Sequence, residues 1–267
     1  MMNKKGIDAS KWQGEIDFQK VKNNGVEFVI IREGYGKKSP TQIDKKFKVN
    51  YEMAKSVGLP VGVYHYSYAD SVSDAKLEAQ FCLENIQGMK LEYPVVIDIE
   101  DKEILKLNNR QRTDNLKAFC EEMENAGYYA MVYCNLYWWN NYLYKEELEN
   151  KYDLWLAQWQ VENPSVTCGI WQYSETGKID GINGNVDLNI AYKDYPSIMK
   201  YNGLNGFKKQ ETSIPTTYTT YTVVKGDSLW SIAQKLLGDG TKWQQIQSIN
   251  SLSSTIIYPN QTLKIPK

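Results

Sequence analysis

The sequence predicts a closed α/β barrel in residues 1–200, a linker in residues 201–217 and a small second domain in residues 218–267. Three observations support this prediction. Strand-like and helix-like segments alternate from residue 5, which is typical of a parallel sheet with right-handed crossovers. Eight strand-like segments fit within about 190 residues, which favours closure into a barrel. A polar, aperiodic stretch then separates this region from a new pattern at the C-terminal end.

Each of the first four predicted strands is followed by a predicted helix with 3.6-residue periodicity. The strands read KGIDAS, EFVIIRE, PVGVYHYS and YPVVIDIED, and YYAMVYC follows as the fifth. The four helices end at Gly25, Gly58, Gly88 and Gly127, and glycine commonly terminates helices. Beyond the fifth strand, DLWLAQW, CGIWQYS and GNVDLNIAY predict three more strands with little helix between them.

The segment YPVVIDIED combines a buried strand with a cluster of acids. Side chains two residues apart on a strand share a face, so Asp98 and Glu100 are expected on the same side. Burying two like charges together costs free energy, which a sequence selected only for folding would avoid. The alternative is that the strand ends at Asp98 and the following acids belong to a solvated loop.

Polar and aromatic residues recur at the ends of the other predicted strands. They are Asp8, Arg32, Glu33, Tyr64, Tyr66, Gln158, Trp159, Gln172, Tyr173 and Asp187. In α/β barrels the active site lies at the carboxyl ends of the strands. Recurrence of acids at one end of the barrel therefore favours a catalytic site over a solvated loop.

Composition excludes several classes of site. His65 is the single histidine, so a site built from several histidines is impossible. The cysteines Cys82, Cys120, Cys134 and Cys168 form no C-x-x-C pair, and we expect them to be buried apolar residues without zinc. No metal and no cofactor are expected. The 20 Tyr and 8 Trp against 6 Phe suit sugars, whose rings have apolar faces and hydroxyl rims.

Charge and hydropathy restrict the partners and the location. A net charge of −1 argues against nucleic-acid binding, and the longest apolar runs are too short for membrane insertion. The start, MMNKKGIDAS, shows no apolar segment of a secretory signal. We therefore expect synthesis in the cytoplasm and release by another route.

The C-terminal region changes in pattern and charge. Residues 201–219 lack periodicity and are rich in Gly, Asn and Thr, which predicts a linker. From Tyr218 onward the pattern predicts a strand at 221–224, helices at 228–237 and 242–250, and a strand at 262–266. This region holds five Lys and two Asp, so its net charge is +3.

The ordered motifs GIDASKWQG, GVYHYS, VVIDIED, LWLAQW, WQYS and NVDLN resemble the family 25 glycoside hydrolases, lysozymes of the N-acetylmuramidase type. The resemblance covers about residues 5–195 and implies a flattened (β/α)5(β)3 barrel. It implies that Glu100 is the proton donor, that Asp98 is its catalytic partner and that Asp8 and Asp187 complete the acidic cluster. Tyr64 and Tyr66 would lie beside it. The segment IREGYG departs from the family pattern, which leaves the roles of Arg32 and Glu33 open.

The motifs YTVVKGDSLWSIAQKL and IIYPNQTLKIP resemble the two ends of a LysM module, which has βααβ topology and binds glycans containing N-acetylglucosamine. The resemblance implies a sugar groove between two short segments. Its residues would be Gly226, Asp227, Ser228 and Leu229 on one side and Ile256, Ile257, Tyr258 and Pro259 on the other. For Trp230 and Ile232 we expect core packing.

Together the resemblances imply a peptidoglycan hydrolase that cuts β-1,4 bonds between N-acetylmuramic acid and N-acetylglucosamine, with the bacterial wall as its partner. A phage endolysin released by a holin is the expected setting, with a bacterial autolysin and a phage structural lysin as alternatives. Two other classes compete. The set of four acids argues against a catalytically inactive wall-binding protein, and the single histidine argues against a metal-dependent deacetylase.

The spacing of Asp98 and Glu100 leaves the mechanism open. Their Cα atoms should lie about 6.6 Å apart on a strand, but this does not determine the separation of the carboxyl groups. Retaining, inverting and substrate-assisted routes therefore all remain possible. A neighbouring carboxylate raises the pKa of one member of such a pair, so we expect Glu100 to be protonated and Asp98 ionised near neutral pH.

Overall fold

The first eight strands form one closed barrel in chain order. The computed structural model describes residues 3–37, 39–209, 218–250, 252 and 255–267. The chain divides into two units, Met1–Lys209 and Gln210–Lys267. The barrel strands are β1 Lys4–Ala9, β2 Phe28–Tyr35, β3 Val61–Tyr66, β4 Val95–Asp98, β5 Ala130–Asn135, β6 Asp153–Ala157, β7 Ile170–Gly177 and β8 Val186–Ala191.

Strand β8 runs against the other seven. Strands β1 to β7 pair in parallel with their chain neighbours, whereas β8 is antiparallel to both β7 and β1. Residues 178–185 between β7 and β8 are too few for the crossover that a parallel pair needs. The parallel pairing predicted from the repeating β-α-β units holds for β1–β7, and the (β/α)5(β)3 barrel expected from the resemblance is confirmed.

The reversed direction of β8 matters for the site. The carboxyl ends of β1–β7 lie at one end of the barrel, here called the mouth. Because β8 is reversed, its first residues are the ones at that end, and Asp187 pairs directly with Asp8 of β1. Asp187 therefore reaches the mouth from the start of its strand.

Helices cover the outside of the barrel between the strands. They are α1 Phe18–Asn23, α2 Phe47–Ser56, α3 Val72–Ile86, α4 Asn109–Asn125 and α5 Leu136–Asn141, with α6 Tyr195–Asn202 following β8. Asp17, Ser71 and Asn108 cap the N-termini of α1, α3 and α4 through side-chain acceptors. The four glycines predicted to end helices all have positive φ, between 72° and 84°, a region that glycine adopts without strain.

Alternation along the strands creates two apolar layers. Phe28, Val96 and Trp155 lie in the cluster that fills the barrel interior, where Phe28 stacks on Tyr93 with ring centroids 4.2 Å apart. Ile97 and Ile99 belong to the other cluster, between barrel and helices. Since Val96 is interior, Asp98 two residues later is directed to the interior as well.

The predicted linker begins too early. Residues 201–209 belong to the barrel unit, so the predicted boundary at residue 200 is wrong. Asn205 is fully buried and its side chain donates to the carbonyl of Tyr93 across 2.8 Å and accepts the N–H of Tyr129 across 2.7 Å. Its backbone pairs with Gly127 and Leu91. The rest of the predicted linker, residues 210–217, lies outside the described residues.

The second unit has the predicted βααβ order. It comprises β9 Tyr218–Thr222, α7 Leu229–Leu237, α8 Trp243–Ile249 and β10 Thr262–Pro266, with β9 and β10 antiparallel. Ile232 is buried as expected, but the expectation for Trp230 is wrong, because its side chain is 54% exposed. Leu229, Ile232 and Ala233 fill the apolar face of α7, and Trp230 lies outside it, against Gly240.

No helix among the described residues combines the length and the apolar character needed to cross a bilayer.

Candidate active site

Asp98 and Glu100 are sequestered acids at the mouth. Strand β4 ends at Asp98, but the residues after it are not a solvated loop, because Ile99 and Asp101 are buried and Glu100 is half-buried. The backbone N–H of Glu100 donates to Oδ1 of Asp98 across 3.2 Å. The backbone N–H of Asn135, the last residue of β5, donates to Oε1 of Glu100 across 2.7 Å. The segment after β4 therefore holds the Asp98 carboxyl, and the end of β5 holds the Glu100 carboxyl.

Burial governs the protonation of these two acids. It is the largest cause that raises the pKa of Asp98 well above its ordinary value, and the charges of Glu100 and Asp8 add to it. Burial also raises the pKa of Glu100, against the N–H of Asn135. Both carboxyls therefore keep a proton to higher pH than a solvent-exposed acid does, and which of the two ionises first stays a prediction. Coulomb repulsion is mutual, so either charge opposes ionisation of the other.

Asp8 and Asp187 form a second carboxyl pair. They face each other in the antiparallel register of β1 and β8. Burial is the main cause that raises the pKa of Asp187 to about 8, and the charge of Asp8 adds to it. Burial also raises the pKa of Asp8, whereas hydrogen bonds from Asn189 and Gln172 oppose that rise.

Oδ2 of Asp8 accepts two amide hydrogen bonds inside the barrel. Gln172 donates from Nε2 across 3.0 Å and Asn189 from Nδ2 across 2.9 Å. Oε1 of Gln172 in turn accepts from the hydroxyl of Tyr133 across 3.1 Å. Gln172, predicted to bind substrate, is only 2% exposed, so the structure makes it a partner of Asp8.

The tyrosines of β3 lie beside these acids. Burial and the charges of Asp8 and Asp98 raise the pKa of Tyr64, so its hydroxyl stays protonated. The Tyr64 ring meets Trp155 edge-on at 6.1 Å. The Tyr66 hydroxyl donates to Oδ2 of Asp101 across 3.2 Å. Both predicted tyrosines therefore lie at the acidic site.

Arg32 and Glu33 fall on opposite faces of β2. Nε of Arg32 donates to Oδ2 of Asp44 across 2.8 Å, and the positive charge of Arg32 opposes the rise in the pKa of Asp98. Glu33 instead accepts from Asn85 and pairs with Nδ1 of His65 at 2.9 Å. Arg32 therefore belongs to the mouth, and Glu33 belongs to the buried layer under α3.

The predicted residues of β6 and β7 have different surroundings. The side chain of Gln158 donates to Oγ of Ser165 across 2.6 Å and accepts the N–H of Ser165 across 2.8 Å, so it braces the β6–β7 loop. Trp159 is 40% exposed, and the half-buried Tyr173 lies against Trp171 with ring centroids 5.6 Å apart. Substrate contact by these three residues stays a prediction.

Within the part of the chain that the structure describes, one group of three potential metal ligands lies close together. Ligand atoms of Glu33, His65 and Cys82 fall within 4.8 Å of one another, and all three residues are buried. His65 and Asn85 already engage the two oxygens of Glu33. Burial raises the pKa of the Cys82 thiol well above its ordinary value, which disfavours the thiolate that metals bind. The group behaves as a buried polar cluster.

The predicted groove of the second unit is partly structural. Asp227 accepts from the Tyr221 hydroxyl and the Val224 N–H, each at 2.9 Å. Gly226 has a φ of 97°, Ser228 caps α7, and Leu229 is buried in the core. On the opposite segment Ile257 packs against the core and Pro259 is exposed. Ile256 and Tyr258, at 63% and 67%, are the most exposed apolar side chains of the groove.

Four residues of the site were not predicted from the sequence: Tyr133, Asn135, Trp155 and Asn189. Asn189 follows Asp187 by two residues on β8, and Tyr133 follows the interior Met131 by two on β5. Strict alternation along each strand was therefore a usable signal for both.

The sequence profile described as glycosyl hydrolases family 25 matches residues 7–182, and the LysM domain profile matches residues 221–266. This chain belongs to family 25 of the glycosyl hydrolases and carries a C-terminal LysM domain.

Similar proteins include lysozymes. The autolytic lysozyme of Clostridium acetobutylicum is 34% identical over 189 residues, a match that covers 69% of this chain and 54% of that protein. Lysozyme M1 of Streptomyces globisporus is 30% identical over 199 residues, covering 69% of this chain and 66% of that protein. The match therefore spans about half of the first relative and two thirds of the second.

Solved structures share the barrel. The CTP1L endolysin is 27% identical with a TM-score of 0.65, and the match covers 74% of this chain and 69% of the endolysin. The modular autolysin LytC of Streptococcus pneumoniae, solved with a synthetic peptidoglycan ligand, is 29% identical with a TM-score of 0.63. That match covers 71% of this chain and 47% of LytC.

Proposed function

We propose that this protein is a peptidoglycan hydrolase that cleaves β-1,4 bonds between N-acetylmuramic acid and N-acetylglucosamine. The observation that carries the proposal is the convergence of four sequestered carboxyls, Asp8, Asp98, Glu100 and Asp187, at the mouth. Glycoside hydrolysis needs an acid that protonates the leaving oxygen and a negative charge beside the developing oxocarbenium ion. The lysozymes among the relatives support the same chemistry.

Glu100 is the proposed general acid. Its Oε1 accepts the N–H of Asn135, so a proton on the carboxyl is carried by Oε2. Glu100 is half-buried whereas Asp98 is buried, which leaves Glu100 better placed to reach a leaving oxygen. Transfer of the proton from Oε2 to that oxygen accompanies cleavage of the glycosidic bond.

Asp98 is proposed to assist the substrate's own acetamido group. In a substrate-assisted route the carbonyl oxygen of the 2-acetamido group attacks the anomeric carbon, and a carboxylate orients it and stabilises the positive charge that develops. Asp98 is deeply placed and engaged through Oδ1, which suits an orienting role. Loss of the Glu100 proton leaves Glu100 able to act as the base that activates water in the second step.

The LysM domain is proposed to hold the barrel near insoluble wall. Ile256 and Tyr258 expose apolar and aromatic surface that can contact sugar rings. The net charge of +3 in residues 218–267 adds attraction to an anionic wall.

The biological setting is proposed to be that of a phage endolysin that leaves the cytoplasm through a holin. Structural similarity to the CTP1L endolysin supports this setting, and similarity to an autolytic lysozyme supports a bacterial autolysin as the second candidate. Timed expression with and without a holin separates the two, since only an endolysin depends on the holin for lysis.

Mass spectrometry of digested cell wall tests the reaction. Fragments that end in reducing N-acetylmuramic acid are expected. Reducing N-acetylglucosamine would identify a different bond, release of acetate that a chelator blocks would identify a deacetylase, and undigested wall would identify a binding protein without activity.

A further inference from the structure

Asp8 is held by a buried chain of hydrogen bonds that begins at a tryptophan. Nε1 of Trp155 donates to Oδ1 of Asn189 across 2.7 Å, and Nδ2 of Asn189 donates to Oδ2 of Asp8 across 2.9 Å. Asn189 and Trp155 are 0% and 1% exposed. Water therefore cannot reach these side chains to replace the hydrogen bond from Trp155 to Asn189 or the one from Asn189 to Asp8.

The indole determines which way the Asn189 amide points. An indole N–H can only donate, so the Asn189 atom that lies 2.7 Å from it must be the oxygen. The amide nitrogen is then the atom that faces Asp8. Reversal of the amide would place two donors together at Trp155 and two acceptors together at Asp8.

Gln172 acts on the same oxygen from β7. Its Nε2 donates to Oδ2 of Asp8, and its Oε1 accepts from Tyr133. Oδ2 of Asp8 thus receives two N–H donors, which stabilise the ionised carboxylate. Asp187 is the neighbour across the β1–β8 register, and two carboxyls so close in a buried site do not both ionise easily.

We propose that Asn189, oriented by Trp155, is a positioning residue that keeps Asp8 ionised and leaves the proton of the Asp8–Asp187 pair on Asp187. Asp187 then presents an O–H donor at the mouth, and Asp8 presents a fixed negative charge. A role in catalysis for this placement of proton and charge rests on the proposed function, whereas the placement itself does not.

Other charges around the pair act in known directions. The titratable and charged groups around the Asp8–Asp187 pair are Asp98, Glu100, Glu175, Arg32, Tyr64 and Tyr133. The pKa of about 8 for Asp187 agrees with a proton retained there at neutral pH. The tyrosines stay protonated because burial and the nearby carboxylates raise their pKa values.

Carboxyl titration of the full-length protein by ¹³C NMR tests the proposal without any assay of activity. In the wild type, Asp8 should take the lower and Asp187 the upper of the pair's two titration steps. Asn189→Leu should raise the Asp8 step by about one pH unit, because a hydrogen bond to a charged group is lost. Trp155→Phe should shift it in the same direction by less, since the amide survives without its orienting donor.

Asn115→Leu is the matched control. Asn115 is a buried asparagine of α4 whose side-chain amide donates to the carbonyl of Ala69 across 3.0 Å, so its loss should leave the Asp8 titration unchanged. If Asn189→Leu does not fold, the order of the two steps in the wild type and the Trp155→Phe shift still decide the question.

Two results would overturn the proposal: a wild type in which Asp187 ionises before Asp8, or variants whose Asp8 titration matches that of the control. The pH dependence of wall cleavage provides a second readout, and its acidic limb should move upward with Asp8 in Asn189→Leu. A wild type that cleaves no wall would contradict the proposed function, but the NMR titration would still test the role of Asn189.

Discussion

The backbone N–H of Asn135 lies 2.7 Å from Oε1 of Glu100, so the end of β5 holds the acid that follows β4. This contact holds the Glu100 carboxyl in place beyond the end of its strand. It also leaves the second oxygen of Glu100 available for the proton that glycoside hydrolysis requires. The acid and its orientation are therefore products of two neighbouring strands.

Asp98→Asn should lose most wall-lytic activity and move the alkaline limb of the pH–rate profile to lower pH. The charge of Asp98 opposes ionisation of Glu100, and its removal lets Glu100 lose its proton more easily. Rates measured on purified walls across pH 4–9 check this. An unchanged alkaline limb with normal rates would show that the two carboxyls are not coupled.

Asp187→Asn should stabilise the folded protein at pH 8 while it impairs catalysis. The pKa of Asp187 is about 8 in the folded chain and 3.8 in its ordinary state. An acid whose pKa is raised in the folded state lowers the free energy of unfolding as pH increases from the unfolded pKa to the folded pKa. Asparagine does not ionise, so the variant avoids this loss. We expect a gain of about 1–3 kcal/mol at pH 8 and none at pH 3. Urea unfolding at both pH values measures it, and an equal gain at pH 3 would refute the electrostatic cause.

Truncation should distinguish two domain boundaries. A chain ending at Lys209 keeps Asn205 and its contacts with Tyr93 and Tyr129, so it should fold and cut soluble glycan fragments while it lyses walls less well. A chain ending at Lys200 should be less stable by roughly 3 kcal/mol or more, because buried polar groups lose their partners. Thermal unfolding and fragment cleavage compare the two chains. Equal stability would remove the structural role assigned to residues 201–209.

Tyr258→Ser should weaken wall binding without a change in cleavage of soluble fragments. Tyr258 is the most exposed aromatic residue of the predicted LysM groove. A sugar ring can no longer stack on the side chain once the aromatic ring is removed. We expect the binding free energy for the wall to weaken by about 1 kcal/mol. Tyr218→Ser, which removes another exposed tyrosine of the same unit, is the control. The fraction of each variant that sediments with purified walls measures binding. Equal binding by the two variants would contradict a role for the groove.

Local sequence patterns predicted much of the barrel. Alternation and the glycines at 25, 58, 88 and 127 located the strands and helix ends, and the acids after β4 indicated the site. Periodicity says nothing about strand direction, so it could not show that β8 is reversed. Asn205 lay in a segment rich in Gly and Asn, where its burial depends on partners as distant as Tyr93.

The surroundings of Asp8 were also beyond local patterns. Gln172 and Asn189 lie 164 and 181 positions from Asp8 along the chain, and only barrel closure brings them to one oxygen. Its position at the end of a strand therefore predicted that Gln172 binds substrate, although its amide makes hydrogen bonds to Asp8 and Tyr133 inside the barrel. Local patterns located the acids, and the tertiary fold determined their partners.

The decisive variant is Glu100→Gln, because glutamine keeps the acceptor for the Asn135 N–H but cannot supply a proton. Glu103→Gln, three residues further on and exposed, is the control. Both variants are compared with the wild type by release of reducing N-acetylmuramic acid from purified walls, with folding checked by circular dichroism. We expect a loss of about 10² to 10⁴ in rate for Glu100→Gln and near-normal rates for Glu103→Gln. Activity of a folded Glu100→Gln within a few fold of the wild type would show that Glu100 is not the general acid.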